Sequence, residues 1–148
     1  MDPRATKTNT NHWRQSINVG RCVVGYCWRG NGGFMNTAHF KEKEFMCNCG
    51  CGQTKPNSEL MAVLQLVRLH FNKPVVITSS YRCPKHNKAV GGASKSKHLE
   101  GIAADIQVKD TEPMEVYHLL DSIFPNNYGI GSYKSFTHID VRPNKARW

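Results

Sequence analysis

Leu60, Leu64, Val67 and Phe71 recur three or four positions apart, which puts them on one stripe of a helix. Asn57-Ser58 can cap such a helix and Lys73-Pro74 stops it, so a core-facing amphipathic helix is expected from Glu59 to about Phe71. The run after it, Pro74-Val75-Val76-Ile77-Thr78-Ser79, is short and rich in β-branched residues, as a buried strand would be. From Ile102 to Val108 the period becomes two. Ile102, Ala104, Ile106 and Val108 share one face of this predicted strand, and Ala103, Asp105 and Gln107 share the other. Asp110 or Thr111 can cap a second helix, with Pro113 tolerated in its first turn. Val116, Leu119, Leu120 and Ile123 form its apolar stripe, and Pro125-Asn126-Asn127 ends it. Two closing strands are expected near Tyr128 to Tyr133 and Phe136 to Arg142. The polar, Gly-containing stretch from Ser80 to Lys97 reads as a loop, and loops carry function more often than packing. The expected fold class is α+β, with helices packed on a small antiparallel sheet and no internal repeat.

The first quarter of the chain reads differently. Residues 1–38 are rich in Asn, Thr, Gly and Arg, keep no period, and contain the breaker Gly30-Asn31-Gly32-Gly33. They are expected to form a poorly ordered N-terminal extension (an arm, an upstream-start artefact or an expression remnant), with the functional domain at 39–148. An accessory binding segment is the alternative. Trp13, Arg14, Arg21, Tyr26, Trp28 and Arg29 interleave aromatic and basic side chains as a nucleic-acid surface would, but no nucleic-acid signature accompanies them. No specific nucleic-acid partner is therefore expected.

At 148 residues the chain has room for one domain with a real core. No run approaches the roughly 18 apolar residues of a membrane span, and none makes a signal-peptide core. The expectation is a monomer that does not insert in membranes; a protein released to a cell wall through a membrane lesion would need no secretion signal. The formal charge of +9 favours a polyanionic partner, among them an acidic cell wall. Six cysteines include the cluster Cys47-Asn48-Cys49-Gly50-Cys51. Its C-x-C-x-C spacing lacks the paired C-x2-C knuckles of common zinc ribbons, so free thiols, or one bridge to Cys83, are expected, with a second metal as the alternative.

The chemistry gathers on two strands. Phe136, His138, Asp140 and Arg142 share a face of the last one, and a face with three ionisable side chains does not build a core. If that strand neighbours the one carrying Asp105, a histidine and a carboxylate converge. His98 lies seven residues before Asp105, across a Gly101 that lets the chain turn back. Two imidazoles and a carboxylate are a usual catalytic Zn²⁺ set with one position open to water, whose pKa such an ion lowers toward ~7. The bland alternative is two surface histidines and a solvated aspartate.

The surrounding residues weigh against that alternative. Ser96-Lys97-His98-Leu99-Glu100-Gly101-Ile102-Ala103-Ala104-Asp105 resembles the S-x-H-x2-G-x-A-x-D signature of zinc D-alanyl-D-alanine carboxypeptidases and related phage endolysins. That group includes vancomycin-resistance dipeptidases and, by fold, the hedgehog signalling domain. Ser79-Ser80-Tyr81-Arg82 is similar to its S-x-Y-R segment, and Gly129-Ile130-Gly131 with Phe136 to Arg142 to its closing strand pair. The resemblance covers about residues 39–148. It implies a hedgehog/DD-peptidase-like fold, zinc held by His98, Asp105 and His138, and amide hydrolysis in peptidoglycan peptides. It also implies that Arg82 binds substrate and supports the oxyanion. Ser96 would orient the site or substrate, or else cap the local turn.

The pattern departs from the family at one place. Several relatives carry Glu or Asp three residues before the last zinc ligand, whereas Ser135 stands there in this chain. Asp140 is the substitute general base expected here, its rival role being to fix the tautomer of a ligand imidazole; Glu100 is a further base candidate. The departure also sustains a second hypothesis, a catalytically inactive, zinc-stabilised cell-wall or protein binding domain.

Overall fold

In the computed structural model, residues 37–148 are described. The readings of the N-terminal extension, of its aromatic–basic positions and of Cys22 and Cys27 lie outside the described residues.

The first helix, α1 (Ser58–Phe71), begins at Asn57, whose side-chain oxygen accepts the Leu60 N–H at 2.9 Å. It ends at Asn72, which takes the left-handed conformation with φ 49°. Leu60, Leu64 and Val67 are fully buried as their spacing requires, with Met61 and Val63 beside them, while Phe71 is only partly covered. Strand β1 (Val75–Ser79) follows, then the short helices α2 (Pro84–Ala89) and α3 (Lys97–Glu100). Strand β2 (Ala103–Val108), helix α4 (Pro113–Ile123) and strands β3 (Gly129–Ser132), β4 (Thr137–Asp140) and β5 (Ala146–Arg147) complete the fold.

The five strands form one sheet in the order β1-β2-β4-β3-β5. The first four pair antiparallel, as expected, and the unpredicted two-residue β5 adds a parallel edge to β3. Ala104, Ile106, Val108, Ile130, Ile139 and Val141 turn one face of the sheet into the core beneath α1 and α4. Alternation then sends Ala103, Asp105, His138 and Asp140 to the opposite face. Among the described residues no helix is long and apolar enough to cross a membrane.

Three local expectations change. Part of the stretch read as loop is helical: α2 and α3 both fall in or next to Ser80 to Lys97. Neither Asp110 nor Thr111 caps α4. Its N-cap is Glu112, because Pro113 at the first helical position forces the preceding residue into an extended conformation, with ψ 141°. Asp110 instead occupies the turn with φ 49°, where its carbonyl accepts from Lys73 Nζ at 2.8 Å. Finally, Leu119 and Ile123 are half-buried, so Val116 and Leu120 carry most of the α4 stripe.

Candidate metal centre

β2 and β4 pair in a register that sets Asp105 directly across from His138, and Ala103 across from Asp140. On the far side of β4, Gly131 lies opposite His138 and Gly129 opposite Asp140. Both glycines face the site and make room in it. A Cβ on Gly129 would overlap the Asp140 carboxylate and Arg142, and one on Gly131 would overlap the indole of Trp148. That indole rests 5.2 Å, centroid to centroid, from the His138 ring.

His98 arrives from α3, a single turn that ends at Gly101 with φ 77°. A side chain at Gly101 would also meet Lys55. The three predicted ligands are thus brought together: Asp105 Oδ1 lies 2.8 Å from His138 Nδ1 and 3.3 Å from His98 Nε2. All three residues are buried, with their candidate donor atoms within 4.8 Å of one another.

Each imidazole is held through its other nitrogen. His98 Nδ1 donates to the Ser80 carbonyl at 2.6 Å, and His138 Nε2 to Asp140 Oδ2 at 3.0 Å. Both rings therefore turn an acceptor nitrogen toward Asp105 when neutral. Bonds of ~2.0–2.1 Å in a tetrahedral zinc shell put N and O donors roughly 3.3 Å apart, so this set fits such an ion.

Charge in the site is arranged around the two carboxylates. Burial would raise the Asp105 pKa, but hydrogen bonds from His138 and His98 outweigh it and hold the group well below the usual carboxylate range. Burial likewise opposes ionisation of Asp140, yet bonds from His138 and Arg142 bring it down to about 2. His138 is desolvated, which disfavours its charged form, but its bonds to Asp105 and Asp140 prevail and raise its pKa. The carboxylates that favour a protonated His138 equally favour a cation in that proton's place.

Asp140 is completely enclosed and fully engaged. Oδ1 accepts from Arg142 Nε at 2.6 Å and from Arg142 N at 3.2 Å, while Oδ2 accepts from Arg142 Nη2 at 2.6 Å besides His138.

A cleft of about 350 Å³ opens over the three residues, lined among others by Arg82, Lys95, Ser96, Lys97, Arg142 and Trp148. Arg82 donates to Asp105 Oδ2 at 3.0 Å and through Nε to Ser79 Oγ at 3.0 Å. Ser96 is the N-cap residue of α3, but its side chain makes no capping bond there and it lines the cleft. Glu100 pairs with Lys97 at 2.6 Å outside the cleft. Ser135 lines a different groove, its carbonyl accepting from Gln107 Nε2 at 2.8 Å. Among the described residues that line the cleft, Asp105 has the sole acidic side chain.

The family signature of peptidase M15 matches residues 38–140, which takes in His98, Asp105 and His138 together. The chain belongs to the peptidase M15 family. No curated protein sequence matches it. M15 peptidases are zinc metallopeptidases, and the donor set above is of the kind that this M15 chain needs for such an ion.

Several features of the M15 cleft escaped the sequence reading. Trp148 covers His138, stacks its indole against the Arg142 guanidinium at 5.5 Å, and donates from Nε1 to Tyr133 Oη at 2.7 Å. The Ser80 carbonyl orients His98, and a backbone acceptor has no signature in sequence. The Asp140–Arg142 fork did have one, since opposite charges at i and i+2 on a strand share a face.

Proposed function

We propose that this M15 domain is a zinc peptidase that hydrolyses amide bonds in the peptide stems or cross-bridges of bacterial peptidoglycan, as a carboxypeptidase or an endolysin-type endopeptidase. The observation that carries the reading is the convergence of His98 Nε2, His138 Nδ1 and Asp105 Oδ1 beneath an open cleft, with both imidazole tautomers fixed from behind. Those three atoms are assigned as the metal ligands. Bound zinc supplies Lewis acidity toward the scissile carbonyl and acidifies a water.

The chain's own residues do the rest. Arg82 is positioned by Ser79 and Asp105 at the cleft wall, where a guanidinium can hold the substrate carbonyl or carboxylate and balance charge that develops on oxygen. Ser96 offers its hydroxyl to the substrate. Lys95 adds a positive charge to the cleft wall, beside Lys97 and Arg142, which are paired with Glu100 and Asp140, and this suits the carboxylate-bearing peptides of an anionic wall. Asp140 is assigned the orienting part and not that of general base: four accepted hydrogen bonds and complete burial leave it no oxygen for a reacting proton. The protein acts as a monomer, without nucleic acid or membrane insertion, and as a phage or prophage product made in the host cytoplasm.

The test is digestion of purified peptidoglycan with and without chelator, reading new termini by mass spectrometry. Amide-cleavage products that vanish with chelator and in His138→Ala are expected. A second reading, a zinc-stabilised binder without turnover, is favoured by the lack of a further acidic side chain among the described cleft residues. A folded, zinc-loaded protein that releases nothing from walls of several chemotypes would establish it and sink the peptidase.

A further inference from the structure

Four cysteines converge on the back of the segment that presents Arg82. Cys47 follows a 3₁₀ turn at Glu42–Phe45; Cys49 and Cys51 follow on the next loop; Cys83 stands at the head of α2, 36 residues from Cys47. Gly50 and Gly52 take positive φ, 80° and 72°, which lets the loop fold back on itself. The four sulfurs lie within 4.8 Å of one another, with Cys47 Sγ to Cys49 Sγ at 3.4 Å and Cys49 Sγ to Cys83 Sγ at 3.7 Å.

These distances separate the readings left open by the spacing. A disulfide needs sulfurs ~2.0 Å apart, and all four cysteines are free, so of the two expectations, free thiols or one bridge to Cys83, the structure has the free thiols. Bonds of ~2.3 Å in a tetrahedral shell put sulfurs roughly 3.8 Å apart, close to the separations seen. Donors are aimed at the sulfurs as well. The Cys83 N–H points at Cys47 Sγ at 3.3 Å, and the His86 N–H at Cys83 Sγ at 3.4 Å. His86 Nδ1 lies 3.2 Å from Cys47 Sγ. The two backbone N–H groups place positive dipole on sulfur, which favours thiolate ligands.

We propose that Cys47, Cys49, Cys51 and Cys83 form a structural zinc site, distinct from the cleft. Four thiolates complete the shell and leave no open position, so this ion takes no part in hydrolysis. Its part is to hold the segment of residues 79–83. Tyr81 N already bonds the Phe45 carbonyl at 3.3 Å, and Asn48 Nδ2 bonds the Thr78 carbonyl at 2.9 Å. The zinc clamps the same two strips of chain at Cys47 and Cys83. Between them lie Ser80, whose carbonyl orients His98, and Arg82, which reaches Asp105.

The experiment counts zinc in the full chain purified under reducing conditions. Two ions per chain are expected, falling to one in His138→Ala, to one in the Cys49→Ser/Cys51→Ser double variant, and to none when these are combined. A folded wild-type protein with a single zinc, lost in His138→Ala and kept in the cysteine variant, overturns the proposal without touching the peptidase reading. Alkylation of the wild type, which depends on no variant's folding, gives an independent answer. Peptide mapping should find Cys47, Cys49, Cys51 and Cys83 protected until zinc is stripped and all four modified afterwards, with Cys22 and Cys27 read separately. Ready alkylation of the four in the zinc-loaded protein, or a disulfide mapped between any two, overturns it as well.

Discussion

His138 Nε2 lies 3.0 Å from Asp140 Oδ2, and this contact decides which nitrogen of the ring faces the cleft. The bond ties up the far nitrogen and leaves Nδ1, 2.8 Å from Asp105, as the atom proposed to coordinate the metal. Arg142 grips both oxygens of Asp140 and keeps the carboxylate from swinging away.

Asp140→Asn tests that division of labour. As an orienting residue, Asp140 sets how well His138 binds metal, so the variant should lose about 10- to 100-fold in zinc affinity along with activity. A general base would behave differently. Its removal would lower turnover by ~10²–10⁴ and leave zinc affinity unchanged. Competition with a chelating indicator, run beside a turnover assay, separates the two.

Gly131→Ala should push the Trp148 indole off His138, because the added carbon would occupy the space of the indole nitrogen. The expected readout is a shift of one indole N–H resonance, assigned by its loss in Trp148→Phe, with a fall in kcat/KM of roughly ten- to a hundredfold. An unmoved resonance would mean that the strand yields and the indole does not.

Gly101→Ala combines a left-handed backbone with a collision against Lys55. It should destabilise the fold by about 1–3 kcal/mol, seen as a lower denaturant midpoint. Since Gly101 ends the turn that carries His98, zinc affinity should fall in parallel.

Asp121 accepts from Arg147 Nε at 2.7 Å, and this bond, outweighing a small burial cost, lowers its pKa. A depressed carboxyl pKa stabilises the fold above the unfolded value of ~3.9 and loses that contribution as pH falls through the folded one. Asp121 is 39% exposed, so the effect should be at most about 1 kcal/mol. The gap in melting temperature between wild type and Asp121→Asn should be present at neutral pH and close below about pH 4.

Periodicity made α1 and β2 legible, because each buries a regular row of apolar side chains. β1, expected as a buried strand, forms an edge of the sheet, with Val75 buried, Ile77 partly covered and Val76 exposed. The same logic hid α2, whose six residues bury only the polar Asn87, and β5, which is two residues long and held by the contacts of Arg147 with carbonyls of other segments. In the site, strand alternation pointed to Asp105 and His138 as facing one cleft, and their pairing bears this out. What could not be read was set by register. That Gly129 and Gly131 empty the space over Asp140 and His138, and that Trp148 fills part of it, depends on which residues stand opposite across the sheet.

That register has a further meaning for assembly. Strand side chains alternate, so sliding β4 by one residue against β2 would turn His138 and Asp140 into the hydrophobic layer and bring Ile139 out in their place. No partly correct alignment brings Asp105 and His138 face to face. If Asp105 and His138 hold the ion as proposed, the pair would act as a proofreader of strand pairing: a chain that captures the ion there has aligned these two strands correctly, and a misaligned one is left without that binding.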